Sequence, residues 1–234
     1  MQQFTIRDIE HLTGIKAHTL RIWEQRYGIL IPKRKESLHR IYDNEDLKEL
    51  LRISFLYHNG WKISKIASLN KDDIVKTIAG TEIDSKTYKS FIVRMIEAAI
   101  DFNEASFTDL LNELIGSIGF ESCIVNVCYP YLERIGLLWL TNNAIPAQEH
   151  FSSYIIQNRI IAETEKLAPK TSQPEMVLFS PKGEYHELPL LFINYLLRKN
   201  GWNVVYLGSS VDKAVVQELR HPTIRYFFVH LITN

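Results

Sequence analysis

The 234-residue sequence predicts a multidomain protein with an all-α winged helix-turn-helix head, a four-helix bundle and a truncated doubly wound α/β domain. Two short helical patterns flank Gly14, longer amphipathic helical patterns follow, and strand and helix patterns alternate near the C-terminus. We predict domain boundaries at 1–70 (the head), 71–168 and 175–234.

The head begins with a helix through residue 12, capped by Thr5, because a threonine side chain accepts a bond from the first-turn N–H groups. Gly14 supplies the turn, and a second helix over about 16–27 ends at Gly28. A helix, a short glycine turn and a helix have the spacing of a helix-turn-helix.

The basic segment that follows the second helix starts near Pro32 and returns to apolar residues at Ile41 and Tyr42, which predicts a β-ribbon or wing. Asn44 is expected to cap a third helix, which Gly60 ends. A short helix over about 64–69 closes the head.

Apolar residues at helical spacing predict four helices of 12 to 20 residues in the middle of the chain. Short joins between such helices predict a four-helix bundle. A proline inside a helix removes a hydrogen bond, so Pro130 should bend or split the third helix. The predicted helices cover about 85–101, a helix capped by Asn103, 120–138 and 146–167.

After a Pro/Ser/Thr-rich linker over 168–175, three short apolar patterns alternate with two helical patterns. The order βαβαβ predicts a parallel, right-handed, doubly wound, Rossmann-like sheet. Such sheets usually carry five or more strands, so we expect a truncated chain or an unusual domain. The strands are expected at 176–179, 204–207 and 226–232, and the helices at 188–198 and 212–220.

Composition excludes several classes of protein. The N-terminus has no apolar signal-peptide core and no apolar run reaches the length of a membrane span, so we expect a cytoplasmic protein without a membrane partner. The only two cysteines, Cys123 and Cys128, have no second pair to complete a zinc site, so we expect buried free thiols.

Charge is unevenly distributed although the formal net charge is zero. Residues 1–70 contain 12 Lys/Arg against 8 Asp/Glu, whereas residues 71–168 contain 8 against 14. A basic head indicates an anionic partner, and an acidic middle would repel nucleic-acid phosphates.

The second helix has a polar, cationic outer face that suits the major groove of double-stranded DNA. The basic wing residues suit its phosphates. We interpret Trp23 as an apolar contact between helices and Glu24 as the partner of an arginine. The predicted DNA-contacting residues are Lys16, His18, Thr19, Arg21, Arg26 and Tyr27 of the helix, and Lys33, Arg34, Lys35 and Arg40 of the wing.

Residues 4–50 resemble the winged head of the MerR family of transcription regulators. The family block Thr-Leu-Arg-x-Trp-Glu-x-Arg-Tyr-Gly is matched over 19–28, and the end of its wing by His39, Arg40 and Tyr42. The resemblance implies a regulator, not an enzyme, that binds operator DNA, with His39 and Tyr42 as further DNA-contacting residues. The family's metal and drug sensors continue with one long dimerisation helix, so their promoter-untwisting mechanism is not implied.

A helical bundle before a βαβ unit resembles the cobalamin-binding modules of corrinoid proteins and CarH-like light-responsive regulators. Trp139 lies nine residues before the pair Glu149-His150, as in the bundle that covers the corrin. Glu184-x-His186 matches the Asp-x-His loop that ligates cobalt. The resemblance implies adenosylcobalamin or methylcobalamin as cofactor, His186 as cobalt ligand, and a homodimer or tetramer.

The chain departs from the cobalamin pattern at several positions. Pro189 stands where the family has glycine, and the Ser-x-Leu/Val-Thr element becomes His230-x-Ile232-Thr233, with Thr233 as its last cofactor-binding candidate. Leu140 replaces a histidine that helps to trap the photoproduct in the light-sensing branch.

Two alternatives follow from these departures and from the corrinoid resemblance. One is a MerR-type regulator whose sensor fold no longer binds cobalamin and serves oligomerisation or partner binding. The other is a corrinoid methyl-carrier protein, although the sequence offers no second catalytic module beside the DNA-binding head.

Overall fold

The structure is a computed structural model. It describes residues 3–29, 33–34, 40–79, 88–140, 146–167, 173–219 and 221–232, with side chains except at 33, 34, 79 and 137–140. The described chain is mostly helical and includes a small parallel three-stranded sheet, as predicted. It forms two compact units, 1–152 and 153–234. The three predicted domain boundaries stay predictions.

The first two helices follow the caps expected from the sequence. Helix α1 (Ile6–Thr13) starts at Thr5, whose side chain accepts from the Asp8 N–H, while the Thr5 N–H donates to the Asp8 carboxylate at 2.6 Å. This reciprocal capping box satisfies two donors of the first turn. Gly14 has φ 70°, a left-handed conformation that favours glycine, and it ends α1 before α2 (Ala17–Tyr27).

Two short strands connect α2 to the next helices. Strand β1 (Lys33–Arg34) pairs antiparallel with β2 (Arg40–Ile41). Helices α3 (Asn44–His58), α4 (Ile63–Ile66) and α5 (Lys71–Ala79) follow. That the ribbon acts as a wing stays a prediction.

The cap of α3 corrects one expectation. Asp43, not Asn44, caps the helix: its carboxylate accepts from the N–H groups of Glu45 and Asp46. The Asp46 carboxylate in turn accepts from the Asp43 N–H at 2.9 Å. Only Asp43 has a matching acidic residue three positions later, so it forms the complete capping box.

An apolar core holds the helices of the head together. Trp23 is 5% exposed, and its ring meets that of Tyr57 edge-on with centroids 4.8 Å apart. The tryptophan therefore has the structural role expected from the sequence. Other buried residues of this core are Ile9, Leu12, Leu20, Leu47, Leu50 and Leu51.

Within the described residues of the middle of the chain, five further α-helices follow, and the predicted apolar stripes are buried in them. The four-helix bundle itself stays a prediction. The helices are α6 (Tyr88–Ile100), α7 (Glu104–Ile118), α8 (Phe120–Cys123), α9 (Tyr129–Leu140) and α10 (Pro146–Glu165).

A π-helical segment, Ile124–Cys128, joins α8 to α9 and precedes Pro130. Proline has no N–H to donate to the preceding turn, and the wider π turn accommodates this loss without breaking the helix. The same turn places the sulfurs of Cys123 and Cys128 4.0 Å apart, with both side chains fully buried, as expected. The Cys123 contact and burial raise the pKa of Cys128.

Two charged pairs connect the head to α6. Lys48 on α3 donates to both carboxylate oxygens of Asp101, at 2.9 and 3.0 Å. Arg52 makes a two-pronged contact with Glu97, at 2.8 and 2.9 Å. Bidentate arginine–carboxylate geometry fixes orientation as well as distance, so the head and α6 are held in one arrangement.

The sheet has the order β4-β3-β5, with all strands parallel. Strand β3 (Met176–Pro181) is central and buried, and β4 (Val204–Val211) is longer than predicted. Leu178 packs with Leu190 of α11 and Val204. The remaining elements are α11 (Leu188–Lys199), α12 (Lys213–Glu218) and β5 (Tyr226–Val229), whose residues are all exposed.

Among the described helices, none combines the length and apolar character that a membrane crossing requires.

Candidate functional site

The outer face of α2 carries exposed cationic and polar side chains. His18, Arg21 and Arg26 are exposed, and Thr19 and Tyr27 are partly exposed. Lys16, just before the helix, is 72% exposed and pairs with Glu10 at 3.0 Å. The predicted helix residues therefore share an accessible surface that is complementary in charge to DNA phosphates.

Two residues of this face were missed by the sequence argument. Ile22 is 50% exposed and Gln25 is also exposed, and both lie between the predicted contacts. Their spacing from His18, four and seven residues, puts them on the same helix face. In a major groove, an exposed aliphatic side chain suits a thymine methyl group and a glutamine suits adenine.

Two predicted DNA-contacting residues, Arg40 and Tyr42, also make contacts within the head. Arg40 donates to Glu24 at 2.7 Å, which confirms the expected partner for Glu24 and ties β2 to α2. Tyr42 is 3% exposed, and burial raises its pKa to about 12. Both side chains therefore support the α2 surface, and their contact with DNA stays a prediction.

The remaining wing candidates are only partly within the described chain. Lys33 and Arg34 form β1, where the backbone alone is described. Lys35 and His39 lie outside the described residues.

In the second unit, the loop after β3 presents an oriented imidazole. The Nδ1 atom of His186 lies 2.6 Å from Oε1 of Glu184, and the same oxygen accepts from the His186 N–H at 2.9 Å. The Glu184 side chain is 6% exposed, whereas that of His186 is 65% exposed. A carboxylate on Nδ1 favours the tautomer with its proton there, which leaves Nε2 as an accessible ligand atom.

Glu184 also connects this loop to the residues after β5. Its second oxygen accepts from the Ile232 N–H at 2.9 Å, and its backbone oxygen accepts from the Ser210 N–H at 3.0 Å. The carboxyl ends of all three strands therefore meet around one glutamate. In parallel sheets, this edge next to the central strand is where ligands bind.

A second glutamate at the same edge was not predicted. The Glu187 carboxylate accepts a hydrogen bond from the Tyr206 hydroxyl at 2.9 Å. Gly208, with φ 84°, lies close to the same carboxylate, because a Cβ added at Gly208 would be 3.3 Å from Oε1 of Glu187. Neither spacing nor composition indicates this contact, because it joins the residue that precedes α11 to a residue of β4 that lies 19 positions later.

The structure shows where two residues that depart from the cobalamin pattern, Pro189 and His230, lie. Pro189 lies in the first turn of α11, where proline is well tolerated. His230 donates its backbone N–H to Phe179 at 3.1 Å, and its Nδ1 is buried without a partner among the described residues.

The bundle candidates lie in the first unit. Trp139 is part of α9 without a described side chain. His150 is 71% exposed, with Nδ1 3.3 Å from Glu149, in the first turns of α10. Thr233 lies outside the described residues.

Two protein families match separate parts of the chain. The family described as MerR HTH family regulatory protein matches residues 4–72, which contain α1 to α4 and the exposed face of α2. The family described as B12 binding domain matches residues 92–162, from α6 into α10. The chain therefore contains a MerR-type HTH domain. It combines that family's DNA-binding head with a B12 binding domain.

Two long relatives align with nearly the whole chain, including both matched parts. The HTH-type transcriptional repressors CarA and CarH of Myxococcus xanthus are each 27% identical over 214 residues. The match to CarA covers 91% of this chain and 70% of the repressor. The HTH-type transcriptional regulator MlrA of Escherichia coli is 29% identical over 92 residues, covering 39% of this chain and 38% of MlrA.

A solved structure of the methanol:cobalamin methyltransferase complex MtaBC from Methanosarcina barkeri is also similar, at 17% identity and a TM-score of 0.31. The match covers 70% of this chain and 64% of that chain. A likeness of this size gives no argument about activity, whereas the long relatives are named as regulators rather than enzymes.

The low pKa of Glu184 predicts how the stability of this protein depends on pH. Hydrogen bonds from the backbone N–H groups of His186 and Ile232, then from the His186 ring, lower it from 4.5 to about 2. Between pH 4.5 and about 2 the folded state binds fewer protons than the unfolded state. This carboxylate's contribution to stability is thus present above pH 4.5 and is lost as the pH falls toward 2.

We expect Glu184→Gln to flatten the loss of stability over that acid range, measured by urea unfolding at a series of pH values. Glu218→Gln, in an exposed position of α12, is the control and should leave the profile unchanged. Equal acid sensitivity of the wild type and Glu184→Gln would contradict the assigned hydrogen bonds.

Proposed function

We propose that this protein is a transcription regulator whose head binds double-stranded operator DNA and whose C-terminal half binds a cobalamin. The observation that carries the cobalamin part is the Glu184–His186 pair, a buried carboxylate on Nδ1 of an exposed imidazole. We further propose that cofactor binding changes the oligomeric state and thereby the affinity for DNA.

The DNA half of the proposal depends on the exposed face of α2. Arg21 has no described carboxylate partner and lies at the centre of this face, between His18 and Gln25. It suits a guanine edge or a phosphate, whereas the buried Trp23 and the Glu24–Arg40 pair hold the helix in place.

We expect Arg21→Ala to weaken binding to DNA selected by the wild type from a random pool by about 10-fold or more. The control is Lys76→Ala, which removes an exposed positive charge from α5 at no predicted contact. Mobility-shift titrations at one fixed salt concentration measure both. Equal losses in the two variants would mean that α2 is not the DNA-contacting helix.

The residues present in the α/β unit fit a corrinoid. Cobalt accepts a neutral imidazole nitrogen as a ligand, and a bound cobalamin would supply that metal. His186 would provide Nε2, Glu184 would fix the tautomer and the ring orientation, and Ile232 and Ser210 would hold Glu184 in place. We propose three further cofactor contacts in the first unit: Trp139, Glu149 and His150. Thr233, which lies outside the described residues, is another proposed contact.

The visible spectrum of a cobalamin reports its lower axial ligand, so it tests the role of His186 directly. We expect adenosylcobalamin or methylcobalamin, added in the dark, to give a protein-bound spectrum that His186→Ala changes to that of a species without an imidazole ligand. His221→Ala is the matched control, because His221 is exposed in the same unit but precedes β5, at the opposite edge of the sheet. A spectrum unaffected by His186→Ala would refute the ligand assignment.

The proposed oligomer follows from how symmetric DNA sites are bound. Paired heads contact two half-sites, so assembly into a dimer or tetramer raises the effective concentration of the second head. We further propose that light, absorbed by adenosylcobalamin, changes the oligomeric state. Comparison of illuminated and dark samples tests this proposal.

A second candidate is a regulator whose sensor fold serves as a scaffold for oligomerisation or for a partner. Pro189 and His230 favour it, and so do the exposed apolar residues Phe227 and Phe228 of β5. A protein that stays colourless after purification with excess cobalamin, yet binds DNA, would support this candidate. A corrinoid methyl carrier would instead show methyl transfer from bound methylcobalamin.

A further inference from the structure

A groove of about 620 Å³ lies within the first unit, between the ends of α1 and α3 and the helices α6 and α9. This volume is in the range of small-molecule sites. None of the DNA-contacting or cobalamin-contacting candidates lines it. The groove has an apolar wall and a polar rim; the apolar residues are Leu12, Phe55, Ile92, Val93 and Pro130.

Arg134 of α9 is the notable polar group of this groove. Its Nη2 donates to the Leu12 backbone oxygen at 2.7 Å, in the last turn of α1. No ion pair involves Arg134 in the described part of the chain, and burial lowers its pKa. A guanidinium has five N–H donors. In the described part of the chain, Arg134 makes a hydrogen bond to a backbone oxygen and no ion pair with a carboxylate.

The remaining formally charged side chains that line the groove are Lys89 and Glu133, one of each sign. Lys89, in the first turn of α6, is exposed at the rim, and His58 accepts or donates through Nε2 at 2.8 Å from the Thr13 oxygen. Glu133 is the acidic lining residue, and it is exposed and makes no described ion pair with Arg134.

From this arrangement we propose that the groove binds a small organic acid, a carboxylate attached to an apolar body of one or two rings. The carboxylate would accept from Arg134, with Lys89 adding attraction at the rim, and the apolar body would lie on Phe55, Ile92 and Pro130. Such a ligand would contact the last turn of α1 and thus the DNA-binding head. The site is separate from the cobalamin proposal and does not rest on it.

The test uses the full chain without DNA or cobalamin, and two matched probes, 4-phenylbutyrate and its neutral amide, in ligand-observed NMR titrations. We expect the carboxylate to bind the wild type at least about 10-fold more tightly than the amide, because a charge-assisted hydrogen bond to arginine is present only for the acid. Arg134→Met should reduce that preference to near unity.

Two further variants keep the test decisive. Arg94→Met removes a similarly half-buried arginine of α6 that pairs with Glu113 at 3.7 Å outside the groove, and it should preserve the preference. Lys89→Glu alters an exposed first-turn residue that tolerates an acidic side chain, and it should lower carboxylate affinity several-fold but not amide affinity. Wild-type protein without a preference for the carboxylate, or a preference that survives both groove variants, overturns the proposal.

Discussion

Replacing Trp23 with alanine is expected to lower the free energy of unfolding of the head by about 3–5 kcal/mol, as for other large buried aromatic residues. The indole is 5% exposed and fills the space between α2 and the end of α3, where it meets Tyr57 edge-on. Its removal leaves a cavity that the capped helices α1 and α3 cannot easily close. Urea unfolding monitored by far-UV circular dichroism measures the loss.

Trp61→Ala is the matched control in the same head. Trp61 is only partly buried and contacts Lys65, with Nζ 4.3 Å from its ring centre. An exposed cation–π contact contributes about 0.5–1 kcal/mol, so this variant should lose far less. Similar losses in both variants would contradict the assignment of Trp23 to the core that positions α2.

The Arg52–Glu97 pair gives the second large effect. Either side chain replaced by alanine should cost about 3 kcal/mol, the low end for a buried pair, because Arg52 still reaches water. Glu97 is the more demanding partner, since burial raises its pKa although Arg52 opposes the rise. In Arg52→Ala, the carboxylate is left in a poorly solvated place and should titrate at higher pH still.

A double variant separates the pair from its parts. Arg52→Met combined with Glu97→Leu should recover most of the stability, because neither charge is then buried alone. The exposed Lys71–Glu49 pair is the control, and Lys71→Ala should cost no more than about 1 kcal/mol. A double variant as unstable as the worse single variant would mean that the two side chains do not interact as described.

Local signals in the sequence predicted much of the fold. The Thr5 and Asn103 caps, the glycine turns and the helical apolar stripes fix elements through contacts within a few residues. The prediction from the sequence was wrong where two adjacent residues can both cap a helix. Asp43 rather than Asn44 caps α3, because Asp46 completes the capping box of Asp43. Pro130 was expected to bend or split its helix, and the structure has a π turn before it, which helical periodicity does not reveal.

Candidate site residues could be predicted from the sequence where they lie close together in it, within one loop or one helix. Glu184-x-His186 lies within one loop, so its pairing follows from spacing, and the cationic residues of α2 follow from helix geometry. The burial of Tyr42 and the Glu187–Tyr206 contact depend on elements brought together by the fold. No local pattern shows which side of a wing residue faces the core.

We propose that a cobalamin binds this regulator and controls its assembly. Size-exclusion chromatography with visible detection, on the chain incubated with adenosylcobalamin in the dark, tests it most directly. We predict corrinoid absorbance that co-elutes with protein at an earlier volume than the cofactor-free chain, and a return to the later volume in His186→Ala. A colourless protein peak at an unchanged volume would contradict the claim and leave a DNA-binding head attached to a scaffold.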